Sequence, residues 1–153
     1  MNLDSQLLIF DAALIQLVAT AAMTGIIWLV QLVHYPMFAG IDQPSFLQWH
    51  EFHSRRITYI VAPLMLAELV LSAYLSYELT SAAQFSVFFL ALMVWASTFF
   101  LSVPLHNRLG QKHESTLIEA LIKTNWPRTI AYSLKLALAS VVALTCAVMT
   151  HAK

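Results

Sequence analysis

Apolar positions in this chain fall into four long blocks, at about Leu7 to Tyr35, Ile57 to Tyr77, Phe85 to Leu105 and Ile130 to Met149. A helix needs about 20 apolar residues to cross a bilayer. No block alternates with the period of two that marks a half-buried strand. The pattern predicts an all-α integral membrane four-helix bundle, with residues 1–153 forming one domain.

The connections are unequal. The second and third blocks are joined by a very short link around Glu78 to Gln84. The other two links are longer and carry most of the polar residues. Asp42-Gln43-Pro44-Ser45 has the form of a helix start, a capping aspartate with proline in the first turn. The second helix is therefore expected to begin near Pro44, ahead of its apolar span. Thr124-Asn125-Trp126-Pro127 predicts the start of the fourth helix in the same way. Arg55, Arg56, Arg108, Lys112, Lys123 and Arg128 all flank the longer links, and only Lys153 lies opposite. The positive-inside rule then places those links in the cytoplasm and both termini outside, in a cytoplasmic (inner) membrane. The first span carries acidic residues, Asp4 and Asp11, where a signal peptide has a basic lead. It is read as retained. Two segments, "RITYIVAPLMLA" (56–67) and "RTIAYSLKLALA" (128–139), echo one another faintly and suggest two hairpins about a pseudo-twofold axis.

Composition sharpens this reading. Hydrophobic residues make up 59% of the chain and charged residues 10%, against about 25% charged in soluble domains. Such a chain cannot cover itself with polar surface, so lipid is its expected solvent. The formal net charge is zero, which gives no reason to expect a nucleic-acid partner. The single cysteine, Cys146, excludes an internal disulfide and a cysteine-based metal cluster.

Polar residues inside the blocks recur at helical spacing. Thr20, Thr24, Gln31 and His34 share a face of the first helix, and His50, His53, Ile57, Leu64 and Glu68 share one on the second. Trp95, Thr98, Ser102 and His106 align on the third, and Asn125, Arg128 and Tyr132 on the fourth, with Lys135 at the edge. Lipid cannot satisfy these groups, so the stripes should face one another.

The histidines are the candidate chemistry. His34, His50, His53 and His106 are expected at one end of the bundle, with His50 and His53 on adjacent turns of one face. Four imidazoles from three helices could ligate iron, copper or zinc. A haem would need one or two of them as axial ligands and cations for its propionates, for which Arg55, Arg56 and Arg128 are at hand. Plain hydrogen bonding among interfacial histidines is the competing reading. His113, between Lys112 and Glu114, is expected in a solvated loop. Arg128, following Asn-Trp-Pro at the expected helix start, would form an anion site together with Asn125 and Arg56, with Gln31 nearby. Glu68 falls about 18 Å below Arg56 along its helix, where a carboxylate must be neutral or paired. It is the candidate proton-handling residue. Its expected partner is Thr98 or another hydroxyl. Lys135, about 10 Å below Arg128, either snorkels or reaches inward.

"WLVQLVHYPMF", "SVPLHNRL" and "TNWPRTIAYSLK" together resemble a group of small four-span bacterial membrane proteins and, more distantly, the anthrone-oxygenase-like family. That resemblance implies a four-helix fold and favours an oxidoreductase acting on a lipid-soluble molecule such as a quinone or aromatic compound. The alternative is a non-enzymatic ligand-binding protein, or an accessory subunit of a membrane complex. Transport would require a polar path through the outer half, where Thr20, Ser72 and Thr145 are the polar residues noted. Ala137, Ala139 and Ser140 could let two copies pack closely as a homodimer.

Overall fold

A computed structural model describes residues 3–151, and every regular element among them is helical. Four helices form the bundle: α1 (Leu3–Phe38), α2 (Gln43–Leu79), α3 (Ala82–Leu109) and α4 (Ser115–His151). All four are long and apolar enough to cross a membrane. They form a ring in which α1 packs on α2 and α4, and α3 packs on the same two. Their outer surfaces are oily: Val18, Leu66, Val70, Phe89, Phe100, Leu144 and Val148 are all exposed. A water-soluble bundle does not present apolar surface on this scale.

The helices extend past the apolar blocks at both ends. α2 starts where the sequence places it: the Asp42 carboxylate accepts hydrogen bonds from the Ser45 backbone N–H at 3.3 Å and its hydroxyl at 3.0 Å. α4 does not. Thr124-Asn125-Trp126-Pro127 is not a helix start, because α4 begins at Ser115 and runs through Pro127. Pro127 has no N–H for the carbonyl four residues back, yet the turn holds. Within it, Thr124 Oγ1 donates to Ala120 O at 2.8 Å and Thr129 Oγ1 to Asn125 O at 3.2 Å. The segment before Pro127 also buries Leu117, Ile118 and Leu121 against Tyr35, Phe38, Phe46 and Leu109. That packing outweighs the local stop signal.

α1 and α3 each contain one widened turn. Tyr35 N–H reaches Val30 O, and Val103 N–H reaches Thr98 O, each closing a π-helical turn just before a proline, Pro36 or Pro104. The two turns lie 68 residues apart, the interval that also separates Gln16 from Gln84. α2 and α4 are both 37 residues long. The echo between 56–67 in α2 and 128–139 in α4 has an interval of 72 residues, so the two intervals differ by about one helical turn.

The short link from α2 to α3 passes through Thr80 at φ 41°, and Ser81 caps α3 by accepting from Gln84 N–H at 3.2 Å. In the link from α3 to α4, Lys112 and Glu114 form an ion pair. The Lys112 hydrogen bond, then that from Thr116, holds the Glu114 carboxyl below its usual range. His113 is half-buried rather than solvated, its ring 4.4 Å from that of Phe46. Ala139 is buried within its own bundle and offers no surface to a second copy.

Candidate functional site

The structure gathers polar side chains into three layers. Nearest the short α2–α3 link, the Gln16 and Gln84 amides exchange two hydrogen bonds of 3.2 Å across the bundle axis. Gln84 Nε2 also donates to Ser72 O at 3.1 Å. With Ser72 and Ser76, this makes that half more polar than the stripes suggest. Both glutamines continue the polar faces read from the sequence, Gln16 four residues before Thr20 and Gln84 about five turns before Ser102, although neither was among the candidate residues.

The second layer is an ion pair. Lys135 Nζ lies 2.6 Å from Glu68 Oε1, with both side chains almost wholly buried. Thr20 Oγ1 donates to the same oxygen at 2.8 Å, and Tyr132 Oη donates to Oε2 at 3.3 Å. Lys135 therefore reaches inward and does not snorkel. Thr98 is not Glu68's partner, since its hydroxyl donates to Val94 O at 2.8 Å. α1, α2 and α4 each supply part of this closed cluster.

The third layer lies at the end with the longer links. His50 Nε2 and His106 Nδ1 are 3.0 Å apart, and His106 Nε2 and Tyr35 Oη 3.1 Å apart. His34 and His53 meet edge to face with ring centroids 5.1 Å apart, and His53 and His106 stack at 6.3 Å. The four predicted histidines thus meet. The widened turn in α1 explains one shift within the group: its extra residue turns Tyr35 inward, 4% exposed, and leaves His34 half-buried. Sequence periodicity at 100° per residue cannot see such a turn.

Beside the histidines, Gln31 Oε1 accepts from Asn125 Nδ2 at 2.8 Å. Asn125 Oδ1 in turn accepts from Arg128 at 3.2 Å, and Arg128 also donates to Ser102 Oγ at 3.0 Å. Three of the predicted anion-site residues, Gln31, Asn125 and Arg128, are thereby joined. Arg56 is not. It is exposed, its guanidinium 5.4 Å from the Phe52 ring centroid, in a surface groove with Glu51, Arg55 and Tyr59. Nor does Arg128 stand at a helix N-terminus, because α4 starts at Ser115. The free N–H groups expected beside it are engaged in continuous helix.

A cavity of about 370 Å³ opens next to this layer. Met23, Ile27, Val61, Met65, Trp95 and Phe99 line its apolar part; Tyr35, His53, Ser54, His106 and Arg128 line its polar end. Its α1 and α4 walls are buried, whereas Thr58, Phe99, Val103 and Asn107 are exposed. The mouth therefore lies between α2 and α3. His50 and His106 also line a second, open groove with Glu51, Arg55 and Gln111. His106 borders both spaces, so His50–His106–Tyr35 is a hydrogen-bonded chain from groove to cavity. Imidazole and phenol groups both donate and accept, which is what a proton relay requires. Glu68 does not line the cavity.

As placed, no three His, Cys, Asp or Glu side chains among the described residues converge to hold a metal. Both ring nitrogens of His106 are engaged, by His50 and Tyr35, so the set does not fit a four-histidine centre in this arrangement. Comparison with known proteins finds no matching family model, curated protein or solved structure.

Proposed function

We propose that this is a multi-pass membrane protein that binds a lipid-soluble small molecule in the cavity between α2 and α3. The observation that carries the reading is the cavity's division into an apolar wall and a single polar end, with a mouth on the bundle's lipid-compatible side. Pockets of this size, mostly apolar with a few convergent polar groups, are typical of small-molecule sites. The His50–His106–Tyr35 chain supports proton exchange between the bound molecule and the open groove. Oxidoreductase chemistry then rests on that chain together with the resemblance to oxygenase-like four-span proteins. The positive-inside rule supports a cytoplasmic membrane location with the histidine end toward the cytoplasm.

The test uses naphthalene-2-carboxamide, a neutral aromatic probe, with purified protein in non-ionic detergent. Saturable quenching of tryptophan fluorescence is expected, because Trp95 lines the cavity. Val61→Phe, which narrows the cavity, should abolish saturation. Equal, non-saturating quenching in both proteins would refute the site.

One observation favours a second reading, a transition metal or haem held by histidine. His34 Nδ1 is buried without a hydrogen-bond partner and His34 meets the His53 ring edge to face. Elemental analysis, and a visible spectrum before and after reduction, would test it. Metal retained in a His34→Ala/His53→Ala variant would remove these two as ligands.

A further inference from the structure

Arg128 is 6% exposed and lines the cavity. Its NH1 is used by Ser102 and Asn125, both neutral. Its Nε is buried and has no hydrogen-bond partner. Among the described residues no carboxylate pairs with it. Glu68 is held by Lys135, Glu114 by Lys112 and Glu119 by Lys123, while Asp42 caps α2. Arginine stays charged in proteins, and an uncompensated charge in a low-dielectric interior is costly. An anion from outside the chain would compensate it, and the cavity has room for one. Tyr35 Oη, Ser54 Oγ and the His53 ring, which line the same polar end, can donate to an anionic oxygen; both His106 nitrogens are taken by His50 and Tyr35. The walls beyond are aliphatic, thioether and aromatic.

We infer that the cavity's ligand is an amphipathic carboxylate, its head on Arg128 and its apolar body against Trp95, Met65 and Ile27. This rests on the cavity being a ligand site. It differs from the helix-terminus argument made from sequence, because the driving force is the unpaired buried cation and not a helix dipole.

The experiment compares 2-naphthoate with naphthalene-2-carboxamide at pH 7 by the same fluorescence titration. The acid is expected to bind about ten-fold or more tightly, the yield of a charge-assisted hydrogen bond. Arg128→Gln should erase that preference, and Arg128→Lys should restore part of it. Should Arg128→Gln fail to fold, the wild-type comparison and the Lys variant still decide. Equal affinity for acid and amide in the wild type overturns the inference but leaves the cavity reading standing. So does a preference that survives Arg128→Gln. Binding of neither probe fails the cavity reading itself. Displacement of 2-naphthoate by phosphatidylglycerol but not by dodecanoate would assign the anion to a lipid headgroup and overturn the carboxylate.

Discussion

Two buried charged regions of this bundle solve the same electrostatic problem in opposite ways. Around Glu68, opposite charges meet directly and two hydroxyls fill the carboxylate's remaining positions. Around Arg128, a cation leans on neutral partners, has one donor without a protein partner and borders the cavity. The first is closed and complete within the chain. The second, as proposed above, is completed by a ligand. Intramembrane charge invites a functional reading in either place, but only the under-satisfied one has room for chemistry.

The largest effect should come from opening the closed region. Lys135→Met leaves the Glu68 carboxylate buried without its cation, and breaking such a pair costs about 3–5 kcal/mol. Thermal unfolding in detergent should show a large loss, most of it regained in Glu68→Leu/Lys135→Met. A double variant no better than the single would mean that the pair is not the organising contact. Gln16→Leu comes next: it strands the Gln84 amide, at about 1–3 kcal/mol. Gln16→Leu/Gln84→Leu should be milder than either single change. Tyr35→Phe, at the open region, should cost no more than about 1.5 kcal/mol of stability, yet weaken 2-naphthoate binding. The reverse pattern, a large stability loss with unchanged binding, would make Tyr35 structural. Smallest of all is Arg56→Gln, which should stay within about 0.5 kcal/mol and leave both probes' affinities unaltered.

Much of this was legible in the chain, for physical reasons. Long apolar blocks permit few folds, and polar residues at helical spacing within them must turn inward. Hence the stripes through Thr20, His50, Ser102 and Asn125 meet as expected. Register at the helix ends was harder to read. Pro127 looks like a start because proline is at home in a first turn, but the buried Leu117, Ile118 and Leu121 pull the helix further back. Tyr35 was not among the candidate residues, because the widened turn that places it inward leaves no mark in a regular periodicity. Lys135 and Glu68 were placed at different depths by counting along separate helices, an estimate that ignores the reach of a lysine side chain. Arg56 and Arg128 were grouped by an expected common level, but Arg56 is exposed on α2 and Arg128 is buried.

The position of the cavity mouth bears on affinity. On the proposed reading, a solute that reaches it between α2 and α3 arrives from the surrounding hydrocarbon. There it is already enriched by about 0.8 kcal/mol for each methylene it buries. The binding step then need only discriminate among solutes that the bilayer has concentrated. Selection by solubility comes first and selection by Arg128 and the histidines second. Measured affinities will accordingly scale with the amount of lipid or detergent present, because that phase is the ligand's reservoir.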